Sequence, residues 1–235
     1  MDVTQEQRTW ARVAGITILL KTVLELSGDA VTIIRRTGAS FEDTAHWAAQ
    51  SDVLYRFALL NVGVAWILLS IMAFALYVVL EPVNKRLAQL ALILRLGASF
   101  VGAASLMFRF AQAWLYKSSE PAGLFTTEQL HALVNVSQRA AGAGIETAWI
   151  FLSAGWILFN VLFLRSRYLP RALAGFSIFA SSVFIVAAAT MFVFPQLINM
   201  LKLVGLPGLI AEIVTAFWLL FKGLPPRATT DEVRA

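Results

Sequence analysis

The chain has 235 residues, of which 59% are hydrophobic and 14% are charged, with a net charge of +5 and no cysteine. Soluble domains carry roughly 25% charged and 45–50% apolar residues, so this composition does not fit a soluble globular protein. The missing cysteines exclude disulfides, thiolate metal sites and cysteine nucleophiles.

Long apolar runs indicate a membrane protein. Several runs approach or exceed the roughly 20 residues that a helix needs to cross about 30 Å of hydrocarbon. Only helices and closed barrels can span a bilayer, because every backbone polar group must be satisfied internally. These runs are continuous and not alternating, so we predict an all-α, polytopic membrane helical bundle.

Taken in chain order, the apolar runs predict six transmembrane helices within one domain, residues 1–222, followed by a polar cytoplasmic tail, residues 223–235. The predicted spans are residues 10–28, 53–80, 87–116, 136–164, 172–194 and 204–221. The first span has the weakest hydropathy. Its residues Lys21, Glu25 and Asp29 recur every four positions on one helical face, which therefore cannot face lipid.

Local signals place the helix ends between the spans. Ser40 followed by Asp43 resembles a capping box and opens a short helix, which lies either on the membrane surface or in an ordinary surface loop. Thr126 with Gln129 is a second capping box, ahead of the fourth span. The helical pattern there is too long for one crossing, and we expect a bend or break at the AAGAG sequence of residues 140–144.

The distribution of basic residues predicts the orientation. Six spans put both termini on one side, and the positive-inside rule makes the more basic side cytoplasmic. On the terminal side lie Arg8, Arg12, Lys85, Arg86, Arg165, Arg167, Arg171, Lys222, Arg227 and Arg234. On the other side lie Arg35, Arg36, Arg56, Lys117 and Lys202. The excess of positive charge therefore sets the orientation of the chain, and we expect no nucleic-acid partner.

Three segments carry a family resemblance: residues 55–97, the sequence FLRSRYLPRALAGF and the final AEIVTAFWLLFKG. They resemble bacterial membrane proteins catalogued as domain of unknown function 4386, over roughly residues 50–222. The matching positions are Leu80, Pro82, Val83 and Asn84; Arg95; Tyr168, Leu169, Pro170 and Arg171; and Glu212 with Phe217, Trp218, Leu219 and Leu220. The resemblance implies a multi-pass protein of the bacterial inner membrane and puts the emphasis on Arg95 and Glu212. It implies no activity.

Four ionisable residues are predicted near the bilayer midplane. At 1.5 Å per residue, Arg95 lies about 13–14 Å beyond Arg86, and Glu212 lies about 15 Å from either edge of its span. Lys21 has a similar depth, and Glu25 follows one turn later. Each such group costs about 2.5–3.5 kcal/mol to insert, so the four should face one another inside the bundle. We expect Arg95 to hold Glu212, and Lys21 to hold Glu25 or to share Glu212.

A second polar group is predicted nearer the outer surface. Arg109 and Glu146 are both far from the inner face, and we expect them to approach one another at the outer rim, unless their side chains reach up to water. Arg139 lies seven residues before Glu146 on the same helix face. All these intramembrane charges either fix helix packing or mark an ion or substrate path.

No catalytic or metal-binding motif is found, and the sequence specifies no cofactor. The two histidines, His46 and His131, are most simply interpreted as solvated residues of the outer side. Three functions remain open. The first is a binding or accessory protein whose partner is a membrane protein, a second copy, a lipid or an apolar ligand. The second is a small transporter or channel that uses Arg95 and Glu212. The third is an intramembrane enzyme.

Overall fold

The computed structural model describes residues 3–32, 40–117 and 125–224. All regular elements in these ranges are helical. The α-helices are α1 (Gln5–Thr32), α2 (Phe41–Gln50), α3 (Asp52–Leu80), α4 (Lys85–Lys117), α5 (Thr127–Ser166), α6 (Arg171–Val193), α7 (Ile198–Leu201) and α8 (Leu206–Phe217). Short 3₁₀ turns flank α7, at Pro195–Leu197 and Lys202–Gly205, and a π-turn, Trp218–Lys222, follows α8.

Five of the predicted spans are present as helices long and apolar enough to cross a membrane. Within the described residues these are Asp52–Leu80, Lys85–Lys117, Thr127–Ser166, Arg171–Val193 and Leu203–Lys222. Large apolar side chains on them remain exposed, for example Ile93 at 64% and Phe179 at 66%. Such extended apolar surface has no place in water, so these helices imply a lipid environment for a multi-pass membrane protein.

The chain divides into two compact units. The first unit comprises Met1–Leu20, Leu68–Ser99 and Glu146–Ala235, and the second comprises Lys21–Ile67 and Phe100–Ile145. Helices α1, α3, α4 and α5 each contribute a segment to both units. The single domain predicted for residues 1–222 stays a prediction. Most of the predicted tail, residues 225–235, lies outside the described residues.

Both predicted caps are confirmed. The Ser40 hydroxyl accepts a hydrogen bond from the Asp43 backbone N–H at 3.0 Å, at the start of α2. Thr126 and Gln129 make the two reciprocal bonds of a capping box, of 2.9 and 3.2 Å. These side chains satisfy amides that the first turn of a helix otherwise leaves unpaired.

Of the bend or break predicted at residues 140–144, the break is wrong, because α5 continues through them as one helix of 40 residues. The bend stays a prediction. One of the two glycines in this stretch, Gly144, has a packing reason. A Cβ atom on Gly144 would come within 2.0 Å of the Ser105 hydroxyl on α4, so the absence of a side chain lets α5 approach α4 closely in the second unit. An isolated glycine is tolerated inside a helix when packing requires it.

In the first unit, α1 packs against two of the apolar helices. The Gln7 amide donates a hydrogen bond to the Val79 carbonyl at 3.0 Å, and Trp10 meets Phe74 edge-on with ring centroids 5.3 Å apart. Gly15 faces the C-terminal end of α8 and the π-turn that follows it. A Cβ atom there would lie 2.7 Å from the Leu220 Cγ atom and 2.9 Å from the Ala216 carbonyl oxygen. The N-terminal half of α1 is therefore held by both a buried polar contact and close backbone packing.

Two of the segments that carry the family resemblance meet in the first unit. The Trp218 indole N–H donates to the Tyr168 carbonyl oxygen at 3.1 Å, which ties the turn before α6 to the end of α8. Pro170 then occupies the N-cap position of α6. In the turn between α3 and α4, Asn84 accepts a hydrogen bond from the Leu87 N–H at 3.0 Å and so caps α4. Glu81 in this turn bonds Lys85, which lowers the pKa of the Glu81 carboxyl.

The packing of α1 predicts that Gly15→Ala destabilises the protein. The new methyl group would overlap the Ala216 carbonyl, a backbone atom that cannot move aside, so α1 would have to shift. We expect a loss of about 1–3 kcal/mol, the usual cost of overpacking, measured by unfolding in detergent. Gly175→Ala on α6 is the matched control, because its Cβ meets nothing within 4 Å. Equal stability of the two variants would contradict this packing.

Candidate functional site

Arg95 is the largest fully buried side chain among the described residues of the first unit, with no exposed area. One terminal nitrogen, Nη2, lies 3.0 Å from the Glu212 Oε1 atom on α8. The other, Nη1, donates to the Leu152 carbonyl on α5 at 3.1 Å. Nη2 also lies 3.6 Å from the Met72 sulfur on α3. The Arg95 guanidinium therefore links α4 to three other helices.

The face of the Arg95 guanidinium is also covered. Its central carbon lies 5.1 Å from the centre of the Trp156 ring, within the range of a cation–π interaction. Gly155, beside this tryptophan, leaves the room that the arginine needs: a Cβ atom there would lie 2.7 Å from the Arg95 Cγ atom and 3.0 Å from the Ala91 carbonyl. The local sequence Gly155–Trp156 thus supplies both the space and the aromatic surface.

The ion pair between Arg95 and Glu212 is confirmed. Both side chains are buried, with 0% and 10% of their side-chain surface exposed. The sequence did not predict the other contacts of Arg95, which are the Leu152 carbonyl, Met72 and Trp156. A backbone carbonyl, a thioether and a tryptophan in an apolar run carry no pattern that marks them as contacts of a charge.

Lys21 and Glu25 pair with each other in the second unit, at 3.1 Å between Nζ and Oε2. This is the first of the two arrangements expected from the sequence. Lys21 is 5% exposed, so its ammonium group avoids lipid, as predicted. Glu25 is more open, with 33% of its side chain exposed. The two predicted pairs belong to different units, and the four-residue midplane cluster stays a prediction.

Arg109 is held within the second unit by residues at the end of α1. Its Nη1 and Nη2 atoms both lie 3.2 Å from the Asp29 Oδ1 atom, and Nη2 also contacts the Thr32 hydroxyl. Arg139 is exposed and Glu146 is buried. The predicted approach of Arg109 to Glu146 joins two units and stays a prediction. Asp29 was visible in the sequence as the third member of the Lys21 face, but depth alone could not select it as a partner.

A polar pocket opens in the second unit between α2, the end of α4 and the start of α5. Its volume is about 200 Å³. The lining residues are Ser40, Phe41, Thr44, Tyr116, His131, Val134, Asn135 and Gln138. His131 lies on an exposed face of α5, with its ring centre 4.7 Å from that of Phe41. His46 bonds Gln50 on the surface of α2 and takes no part in the pocket.

The described residues hold no group of three or more histidine, cysteine, aspartate or glutamate side chains suited to a metal ion. Arg95 and Arg109 are occupied by protein groups, whereas the pocket beside Phe41 presents polar side chains to an open space.

Comparison with known proteins identifies one matching family. The family model described as Domain of unknown function (DUF4386) matches residues 13–223. The curated proteins and the solved structures contain no match to this chain. The matched range includes every residue of the Arg95 centre and of the pocket.

The geometry of Arg95 predicts a strong coupling between Arg95→Met and Glu212→Leu. Removing one partner of a buried ion pair costs about 3–5 kcal/mol, because the other charge is left unpaired, whereas replacing both by apolar groups is often neutral. Glu212→Leu should be the worse single change, because a carboxylate can take up a proton while a guanidinium cannot lose one. The double variant should recover most of the stability, measured as unfolding in detergent.

The exposed pair of Glu81 and Lys85 provides the control cycle, since 33% and 64% of these side chains are exposed. Surface pairs couple by roughly 1 kcal/mol or less. If the double variant of the buried pair loses as much free energy of unfolding as the two single variants lose together, a mainly structural role of the pair is contradicted.

Proposed function

The chain belongs to the family described as Domain of unknown function (DUF4386), and within it we propose a six-span bacterial inner-membrane protein that acts by binding. Both termini lie in the cytoplasm, and the partner is a membrane protein, a second copy of the chain, a lipid or an apolar ligand. The observation that supports this proposal is the Arg95 centre, in which other groups of the protein already contact the buried guanidinium.

The sixth span of this proposal is α1. Its 28 residues give about 42 Å of helix, enough to cross the hydrocarbon. Ile16, Leu20 and Val23 recur on one side at helical spacing and are 55%, 46% and 62% exposed, whereas Lys21 is buried. Lys21 thus avoids lipid and the apolar side meets it, which is the arrangement expected of a span whose average hydropathy is low.

The geometry of the Arg95 centre counts against transport, and binding is therefore the role that we propose. An arginine that captures an anionic solute needs donors directed into an open cavity, but these terminal nitrogens are directed to Glu212 and to the Leu152 carbonyl. Releasing them for a solute would require the ion pair to break in a low-dielectric interior, where an unpaired charge is costly. Transport through this pair is the alternative, favoured by the general association of intramembrane charges with ion paths.

Single-cysteine labelling tests the topology, because the natural chain has no cysteine to remove. In intact cells, a membrane-impermeant maleimide should label Glu42→Cys and Glu128→Cys, on the outer side, but not Glu6→Cys or Arg86→Cys. All four native side chains are exposed. Labelling of Glu6→Cys from outside would mean that α1 does not cross, and labelling of Arg86→Cys would reverse the orientation.

Native mass spectrometry of the protein extracted in its own lipid tests the binding role. We expect a retained mass, from a second chain, a lipid or a small molecule, in stoichiometric amount. The rival outcome is a bare monomer that conducts protons or anions in proteoliposomes. Flux abolished by the doubly substituted Arg95→Met, Glu212→Leu protein, while that protein stays folded, would replace binding by transport.

A further inference from the structure

The pocket beside Phe41 has the size of a single ring. Its volume of about 200 Å³ is below the roughly 300–1,000 Å³ of sites that enclose drug-sized ligands. A nucleotide or a whole lipid therefore does not fit inside it, but one six-membered ring with small substituents does. The size limits the occupant to a small molecule or to the head of a larger one.

Phe41 gives this pocket a partly exposed ring that two neighbouring rings hold in place. The Phe41 ring centre lies 6.1 Å from that of Tyr116 and 4.7 Å from that of His131, with the rings tilted by 46° and 41°. Tyr116 is 2% exposed and is itself braced edge-on by Tyr55, at 6.4 Å. Aromatic rings favour offset or edge-on contact, so the exposed part of Phe41 can take a ligand ring in the same way.

The polar side of the pocket is a single face of α5. His131, Asn135 and Gln138 are spaced i, i+4 and i+7, so they lie along one helical stripe. None of the three is hydrogen-bonded to another residue that the structure describes. Each side chain can both donate and accept. This stripe therefore offers several hydrogen bonds to the oxygen atoms of a ligand.

The lining residues that the structure describes include no lysine, arginine, aspartate or glutamate. Among these residues an ionic ligand would find no opposite charge to offset the water that it loses on entry. The amides, the imidazole and the aromatic rings instead match an uncharged group that combines a flat or ring-shaped body with oxygen atoms at its edge. The charge, size and shape of the pocket therefore all indicate the same class of ligand.

From this combination we infer that the pocket binds an uncharged six-membered ring bearing carbonyl or hydroxyl oxygens, with the ring against Phe41 and its oxygens on the α5 stripe. Two sources have this chemistry: the head group of a membrane quinone and a soluble neutral sugar. The inference rests on the proposed binding role and adds the site and the ligand class.

Titration of the purified, full-length protein with two probes tests this site. The probes are a water-soluble dimethoxy-methyl-benzoquinone and a methyl glucoside, with binding followed by calorimetry. The absence of cysteine removes the thiol reaction that complicates quinone titrations. Saturable one-to-one binding of the quinone alone assigns the site to a membrane quinone, and binding of the glucoside alone assigns it to a sugar.

Variants then locate the binding. Asn135→Ala and Gln138→Ala should each weaken the affinity about fivefold to tenfold, the usual effect of one lost hydrogen bond. Phe41→Ala should weaken it further. Glu128→Gln, exposed on α5 and outside the lining, is the matched control and should leave the affinity unchanged. Thermal unfolding of each variant separates lost binding from lost folding.

Binding of neither probe overturns the inference, as does binding that Asn135→Ala, Gln138→Ala and Phe41→Ala leave unchanged. The proposed binding role fails separately. If both probes fail but the protein extracted in native lipid retains another mass, the pocket assignment falls and the binding role stands. If no mass is retained and neither probe binds, both fall.

Discussion

A guanidinium group in an apolar interior is the constraint on which the first unit depends. Arginine stays protonated at any ordinary pH, so burial can be tolerated only if other groups surround the charge. Glu212 supplies the opposite charge, Leu152 a carbonyl and Trp156 a ring face. These groups come from α8 and α5, while Arg95 comes from α4, so the charge fixes which helices must be neighbours.

The sequence predicted the pair itself because charges are rare in long apolar runs. Once Arg95 and Glu212 had similar predicted depths, few partners remained for either. The same reasoning predicted Glu146 as the partner of Arg109, whereas the contact seen within its unit is with Asp29. Depth counts residues along one helix and carries no information about which helices are adjacent.

Two features of the sequence were ambiguous predictors of helix structure, namely glycine within an apolar run and the average hydropathy of a helix. Gly142 and Gly144 predicted a break in α5, but a glycine in an apolar run also permits close helix packing, and Gly144 against Ser105 has that role. For α1, the average over all faces hides the separation between exposed Leu20 and buried Lys21. In a bilayer, what matters is which side chains face lipid and which face the protein, whereas composition gives only the mean hydropathy of the helix.

The contrast between Arg95 and the pocket beside Phe41 separates stability from recognition. At Arg95, strong charge is matched inside the protein, which holds helices together but leaves little to offer a ligand. At the pocket, neutral side chains from α2, α4 and α5 meet only through the fold, so His131 could be interpreted from the sequence only as a solvated residue. Weak groups that face an open space can exchange water for a ligand at low cost, and for this reason we place the proposed ligand there and not at Arg95.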